Sequence, residues 1–174
     1  MRLLLLRHAK SEWGDEDLAD IDRPLNSRGK AAAATMARYM KDNGLLPNQI
    51  LCSTAQRTRE TLARLLPFLP QEAQIHLISD IYRESEDDYC SLIRKYGGRA
   101  QNLMVIGHNP ATENSALTLS GTADPQALAD LEEKYPTGAL AVIDFDIADW
   151  AELHPKTGHL ERFTRPRDLK DTSD

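Results

Sequence analysis

The stretch Arg2-Leu3-Leu4-Leu5-Leu6-Arg7-His8 decides the fold, because its apolar run is continuous rather than alternating. Such a run is typical of a strand that is buried on both faces of a parallel sheet. A second apolar run, Leu103-Met104-Val105-Ile106-Gly107, also ends directly before a histidine, His108. Ligands bind beyond the carboxyl ends of the strands in open α/β sheets, so we expect His8 and His108 to share one pocket.

Strand and helix patterns alternate over most of the chain. Asn26 is predicted to cap a helix that ends at Asn43-Gly44, and Ser53-Thr54 are predicted to cap the next helix, which runs to about Leu66. This alternation predicts an α/β fold, a three-layer α/β/α sandwich with a mostly parallel central sheet, in which the last strands are candidates for antiparallel pairing. Further strands are predicted over residues 49–52, 74–78 (an edge strand), 102–107, 139–146 and 160–163, and further helices over residues 86–96, 111–119 and 126–134.

The composition is that of an ordinary globular protein of 174 residues with a formal net charge of -6. We expect a single domain over residues 1–163, followed by a charged C-terminal tail over residues 164–174. The acidic balance argues against a nucleic-acid partner, and no apolar run approaches the length needed to cross a membrane. Cys52 and Cys90 are too few for a disulfide framework and lack zinc-binding spacing. We therefore expect a cytoplasmic protein without a metal ion or other cofactor.

Two arginines are candidate anion ligands. Arg57 lies in the first turn of a predicted helix, where its charge opposes the helix dipole by about 0.3–1 kcal/mol, but where helix amides and a guanidinium together suit a bound phosphate. The alternative is a solvated arginine that is held by Glu60 or another carboxylate. Arg7 follows a buried strand, so its charge needs a partner. That partner is either a phosphate or, in a structural ion pair, Asp22 or Asp80.

Four side chains taken together indicate phosphoryl chemistry. Either histidine alone is better explained as a hydrogen-bonded structural residue. However, Arg7, His8, Arg57 and His108 follow three separate candidate strands on one predicted rim. Two guanidiniums can neutralise a phosphoryl group, while one neutral imidazole attacks phosphorus and the other donates a hydrogen bond to the phosphoryl oxygens. This chemistry needs no metal ion, and the spacing of His, Asp and Glu does not suit a metallohydrolase.

Three motifs in order carry a resemblance to a known family. They are Arg7-His8-Ala9-Lys10-Ser11, the segment 53–61 (STAQRTRET) and Gly107-His108-Asn109-Pro110. Over roughly residues 1–119 the chain resembles the histidine phosphatase superfamily, which has the phosphoglycerate mutase-like fold. The segment 22–29 (DRPLNSRG) and the short chain look most like the SixA-type phosphohistidine phosphatases.

The resemblance implies a role for each site residue. His8 is the nucleophile that forms a phosphohistidine intermediate, and Arg7, Arg57 and His108 bind the phosphoryl group. The attacking nitrogen of His8 must be unprotonated, so we expect the other ring nitrogen to donate to a nearby carbonyl. Large relatives carry a glutamate after the third strand, and in that segment this chain offers Asp80, Glu84, Glu86, Asp87 and Asp88. Of these we choose Glu84 as the general acid, because it precedes a predicted helix.

The function expected from these residues is that of a metal-independent phosphatase acting on a phosphomonoester or phosphoramidate. A short chain has few insertions to build a lid, which favours phosphohistidine in a protein, such as a histidine-phosphorylated signalling domain, as the substrate. Two alternatives stay open, a small phosphorylated metabolite as substrate and a non-catalytic domain that binds phosphate or a partner. Ala9, which stands where the family usually has glycine, supports the second alternative because it restricts the backbone beside His8.

Overall fold

The structure is a computed structural model that describes residues 1–14 and 17–169. Its strands are β1 (Arg2–Arg7), β2 (Gln49–Ser53), β3 (Gln74–Ile78), β4 (Asn102–Gly107), β5 (Ser120–Ala123), β6 (Leu140–Asp144) and β7 (Gly158–Thr164). Its helices are α1 (Ser27–Asp42), α2 (Gln56–Leu65), α3 (Asp80–Arg83), α4 (Cys90–Tyr96), α5 (Ala111–Leu119) and α6 (Pro125–Glu133).

The strands form one seven-stranded sheet in the order β3-β2-β4-β1-β6-β7-β5. The first four strands are parallel, since β4 pairs with β1 and β2, and β2 pairs with β3 at the edge. β6 runs antiparallel to β1 and β7. The predicted α/β class, the mostly parallel core, the edge position of β3 and the antiparallel pairing near the end are all confirmed.

Helices cover both faces of this sheet. Leu4 and Leu6 of β1 pack with the buried residues of α1 and α2, whereas Leu3 and Leu5 pack with those of α3, α4, α5 and α6. Successive residues of a strand point to opposite faces, so each face of β1 supplies two leucines to a separate core. All four side chains are at most 2% exposed, which explains why the apolar run is continuous.

The sequence predicted the N-cap of α1 correctly but not that of α2. Asn26 caps α1 as expected, because its Oδ1 accepts the N–H of Gly29 at 2.8 Å. A Cβ on Gly29 would collide with the backbone carbonyl of Lys10, so glycine lets α1 approach the loop that follows β1. The predicted cap of α2 is wrong: Ala55 is its N-cap, without a side-chain hydrogen bond, and Ser53 belongs to β2.

Three other expectations about secondary structure need correction. The helix predicted from residue 86 begins only at Cys90, where the carboxylate of Asp88 accepts the N–H of Cys90 at 2.8 Å. The short helix α3 and the short strand β5 were not predicted, because neither has a long enough apolar period to signal itself. β5 also pairs parallel with β7, so the end of the sheet is mixed.

The charged segment after residue 163 is packed over the part that the structure describes. Thr164 completes β7, and Arg165 is 8% exposed. Arg165 forms ion pairs with Asp130, Glu133 and Asp168, which satisfy the buried guanidinium. Residues 164–169 therefore are not a free tail, and residues 170–174 of the expected tail lie outside the described residues.

Candidate active site

The parallel pairing of β1 with β4 sets the two histidines side by side. Arg7 lies opposite Gly107 in the register, so the next residues, His8 and His108, leave the sheet at the same edge. Their ring centroids are 5.2 Å apart, and both side chains are buried. The strand ends thus bring both imidazoles to one cavity.

Hydrogen bonding holds the ring of His8 in one tautomer. Its Nδ1 lies 2.7 Å from the carbonyl oxygen of Ala9. A carbonyl only accepts, so Nδ1 carries the proton and Nε2 carries a lone pair. Burial lowers the pKa of His8 to about 3, with the carbonyl bond acting against this shift and nearby positive charges acting with it. His8 is therefore a neutral imidazole at physiological pH, with the tautomer that the sequence predicted.

Ala9 fits this site without a glycine. Lys156 is the one non-glycine residue with a positive φ among those described, so the backbone of Ala9 lies in the region open to any residue. The N–H of Ala9 donates to Oγ1 of Thr61 at 3.1 Å. Its methyl group is fully buried in a small cluster with Leu25 and Ala33. The methyl group that departs from the family pattern is thus a packed part of the structure.

His108 is positioned through both its ring and its backbone. Its Nε2 lies 2.7 Å from Oγ of Ser53, and its Nδ1 lies 3.4 Å from Nη2 of Arg57. A guanidinium only donates, so Nδ1 accepts and Nε2 donates to Ser53. The Tyr89 hydroxyl accepts the backbone N–H of His108 at 3.0 Å, and its ring occupies the space that a Cβ on Gly107 would need. Burial, followed by the charge of Arg57, lowers the pKa of His108 to about 4.

Arg7 and Arg57 both line the cavity, with partners that the sequence did not indicate. Nη1 of Arg7 donates to the carbonyl of Tyr135 at 2.7 Å. Arg57 donates to Asp20 twice, from Nη1 to its carbonyl at 2.6 Å and from Nη2 to its carboxylate at 3.0 Å. The carboxylate that holds Arg57 is thus that of Asp20 rather than that of Glu60.

Buried guanidinium nitrogens around the cavity lack hydrogen-bond partners. They are the Nε atoms of Arg7, Arg23 and Arg57, which have no partner among the described residues. Buried donors without partners are rare and cost about 1–3 kcal/mol each. The guanidiniums themselves line the cavity together with Lys10, which gives it the polarity of an anion site.

The cavity has a volume of about 580 Å³. Glu84 lines a neighbouring depression and not the cavity, whereas Glu86 lines both, and the two residues are both exposed. Sequence reasoning missed Asp20 and Tyr82, which no spacing marks, and gave no role to Arg23 although it lies in a quoted motif. Besides the four predicted residues, the lining includes Lys10, Trp13, Asp20, Arg23, Tyr82 and Glu86.

The described residues, 1–14 and 17–169, contain neither a candidate metal-binding cluster nor a helix that could cross a membrane. Within them, His, Cys, Asp and Glu side chains form no group of three or more that could hold a metal ion. No helix in the same residues has both the length and the apolar character to cross a membrane. Cys52 and Cys90 are both buried free thiols.

Comparison with known proteins gives the family. The profile of the histidine phosphatase superfamily (branch 1) matches residues 3–78. An uncharacterized protein of Mycobacterium tuberculosis is 33% identical over 165 residues, which cover 93% of this chain and 100% of that protein. An uncharacterized chloroplastic protein of Arabidopsis thaliana is 39% identical over 131 residues, or 70% of this chain. The match spans 60% of the length of the Arabidopsis protein.

Solved structures agree with the family match. A candidate phosphohistidine phosphatase, SixA from Agrobacterium tumefaciens, has a TM-score of 0.78 and 32% identity, with 95% of this chain and 97% of that chain covered. SixA from Nakamurella multipartitia, at 24% identity, shares the fold with a TM-score of 0.77 over 95% of both chains. The fold is the phosphoglycerate mutase-like α/β sandwich. The chain belongs to the histidine phosphatase superfamily, and family and structural relatives support a phosphatase.

Proposed function

We propose that the protein is a metal-independent phosphatase that transfers a phosphoryl group to Nε2 of His8 and then to water. One observation carries the proposal: the bond from Nδ1 of His8 to the Ala9 carbonyl leaves Nε2 unprotonated beside guanidiniums with unpaired donors. A lone pair next to an anion site is what nucleophilic attack on a phosphoryl group requires. Positive charge from arginine then takes the place that a metal ion has in other phosphatases.

The reaction proceeds in two balanced steps. Nε2 of His8 forms a bond to phosphorus, and the bond from phosphorus to the leaving atom breaks with its electron pair staying on that atom, which takes up a proton. Water then attacks phosphorus and loses a proton, while Nε2 recovers its electron pair. The products are the dephosphorylated group, inorganic phosphate and His8 in its original tautomer.

Arg7, Arg57 and His108 are proposed to hold the phosphoryl oxygens. Both guanidiniums line the cavity that contains His8. In the free protein Nδ1 of His108 accepts from Arg57. A dianionic phosphoryl group favours the protonated form of His108, and Nδ1 then donates to a phosphoryl oxygen while Nε2 keeps its bond to Ser53. Attack therefore adds negative charge where three cationic groups meet.

The proposed general acid changes from Glu84 to Glu86. Both glutamates line the neighbouring depression, but only Glu86 of the two also lines the cavity that contains both histidines. Both residues lie in the turn between α3 and α4, so sequence position alone did not separate them. Glu86 is suited to protonate an ester oxygen, while a phosphohistidine substrate can leave as a ring that is already protonated.

We propose phosphohistidine in a protein, such as a histidine-phosphorylated signalling domain, as the substrate. The likeness to the Agrobacterium SixA supports this choice, since that protein is a candidate phosphohistidine phosphatase. Trp13, which lines the cavity, is 74% exposed and offers a contact surface to a macromolecule. A small phosphorylated metabolite is the competing substrate.

We also propose a cytoplasmic location, which the two free thiols support.

The nucleophile is tested by comparing two histidine variants. With an aryl phosphate as substrate, His8→Ala is expected to lose turnover, whereas His76→Ala, which removes an exposed imidazole on β3, is expected to keep it. Addition of a chelator should leave the wild-type rate unchanged. Wild-type protein quenched during turnover should carry phosphate on His8, detected by mass spectrometry. Turnover by His8→Ala at the wild-type rate would remove His8 from the mechanism.

The substrate is tested by a panel measured on the same preparation. We expect the highest kcat/KM for a histidine-phosphorylated protein, with lower values for phosphotyrosine peptides and sugar phosphates. A sugar phosphate at the top of the ranking would instead select the metabolite alternative. Phosphate binding without turnover of any substrate in the panel would select the non-catalytic alternative.

A further inference from the structure

The carboxylate of Asp20 accepts hydrogen bonds from three side chains that line the cavity. Oδ2 accepts from Nη2 of Arg57 at 3.0 Å and from the Tyr82 hydroxyl at 2.9 Å. Oδ1 accepts from Nη1 of Arg23 at 2.9 Å. The two arginine side chains are 8% and 12% exposed, whereas the Asp20 side chain is 50% exposed. An accessible carboxylate thus bridges two largely buried guanidiniums.

Asp20 therefore holds groups that also suit a phosphoryl group. Its carboxylate is a planar anion with two oxygens, and a phosphoryl group presents three oxygens and up to twice the charge. Bidentate guanidinium pairing serves both kinds of anion. Partial burial opposes ionisation of Asp20, but the hydrogen bonds from Tyr82 and Arg57 leave the pKa of this carboxyl below its usual value. Asp20 is thus a charged competitor within reach of Arg57.

We propose that Asp20 is a built-in counter-anion of the phosphoryl site, which holds Arg57 and Arg23 in the free protein and is displaced by the bound phosphoryl group. This inference rests on the proposed function. It adds Arg23 to the residues that contact the phosphoryl group, because displacement of the carboxylate frees Nη1 of Arg23 beside its unpaired Nε.

Displacement needs little structural change. The backbone carbonyl of Asp20 has its own bond to Nη1 of Arg57, so the loop stays attached when the carboxylate leaves. Rotation of the half-exposed side chain is sufficient to move the carboxylate into water. Arg23 also keeps its remaining anchors, a hydrogen bond to Oγ of Ser11 at 2.5 Å and a stack against Trp13 with the guanidinium carbon 3.5 Å from the ring centroid.

Competition between the Asp20 carboxylate and the bound phosphoryl group gives Asp20 a role in product release. Inorganic phosphate, the product, competes with the carboxylate for the same guanidiniums. The return of Asp20 therefore lowers the affinity for the product and shortens its stay in the cavity. Removal of the carboxylate is expected to strengthen phosphate binding and to make release slower.

The test compares Asp20→Asn with Asp22→Asn. Asp22 is exposed, lies in the same short helical turn and does not line the cavity, so it controls for the loss of one negative charge. Binding of inorganic phosphate is measured by calorimetry at constant ionic strength, and product inhibition is measured with an aryl phosphate. Phosphate must break charge-assisted hydrogen bonds of the Asp20 carboxylate in the wild type, so Asp20→Asn, which has no charge to displace, should bind phosphate at least about tenfold more tightly. Asp22→Asn should bind it like the wild type.

The kinetic constants provide a second readout. Asp20→Asn is expected to lower KM and the inhibition constant of phosphate together, with kcat unchanged or lower, which a loss of positioning would not produce. Tyr82→Phe removes one donor to the carboxylate and should tighten phosphate binding by a smaller factor. Unchanged or weaker phosphate binding in Asp20→Asn would overturn the proposal, as would equal tightening in Asp22→Asn. Tighter binding without any turnover would preserve this proposal and reject the proposed function.

Discussion

Acid should destabilise the protein through the two imidazoles of the site. Burial lowers the pKa of His8 to about 3 and that of His108 to about 4, from an ordinary value of 6.5. As the pH falls through 6.5, the rings bind protons in the unfolded chain but stay neutral in the folded protein. Stability is therefore present above about pH 6.5 and is lost progressively as the pH falls toward about 4 for His108 and about 3 for His8.

The magnitude follows from the width of this window. At pH 5 the solution lies about 1.5 pH units below the ordinary pKa, and each unit corresponds to about 1.4 kcal/mol. Each ring therefore lowers the free energy of unfolding by about 2 kcal/mol at this pH. The two rings together cost about 4 kcal/mol, a large part of a typical folding free energy of about 5–15 kcal/mol. Replacing His8 with asparagine removes one titrating ring, so the loss of unfolding free energy between neutral pH and pH 5 should be about 2 kcal/mol smaller.

The assay is urea unfolding at pH 7.5 and pH 5.0. The difference in unfolding free energy between the two pH values should be about 2 kcal/mol smaller in His8→Asn than in the wild type. His76→Asn serves as the control, because water hydrates that exposed ring in both states. An unchanged pH difference in His8→Asn would refute the reasoning, since it would mean that His8 binds its proton equally well in the folded and unfolded chains.

Two further predictions concern groups around the nucleophile. Arg57→Ala should lower kcat/KM for an aryl phosphate by at least about a hundredfold. Arg59→Ala, at an exposed neighbouring position, should change kcat/KM little. Equal losses in the two variants would show that the wrong guanidinium was chosen. Tyr89→Phe removes the acceptor of the buried N–H of His108 and should cost about 1–3 kcal/mol in thermal or urea unfolding. Tyr96→Phe removes a hydroxyl that pairs with the exposed Lys95 side chain and should cost far less, since a surface pair contributes little. Equal stability of the two variants would contradict the assigned bond.

Much of the fold could be predicted because burial on both faces leaves a clear pattern. β1 and β4 lie where continuous apolar runs predict strands, and β3 has the predicted bounds of an edge strand. β5 and α3 are too short to show a period, and they depend on neighbours that are distant in sequence. The start of α4 was also misjudged, because polar residues in a turn are indistinguishable from the polar face of a helix.

The site could be predicted only in part, for a related reason. Arg7, His8 and His108 adjoin strands, and Arg57 lies in the first turn of a helix, so parallel topology alone brings them to one edge. Glu84 does not line the cavity, whereas Glu86, two residues further along the same turn, lines both the cavity and the neighbouring depression. Secondary structure does not determine which of the two side chains lines the cavity.

By itself, the sequence determined that Arg7-His8 ends a buried parallel strand and that a second histidine ends another. Strand period and topology are local or nearly local properties, which is why they could be inferred from apolar runs and turn residues. Only the tertiary structure decided that Ala9 fixes the tautomer of His8, that Ser53 and Tyr89 orient His108, and that Asp20 pairs with Arg57. These contacts join residues by direction and distance in three dimensions, and no periodicity in the chain encodes them.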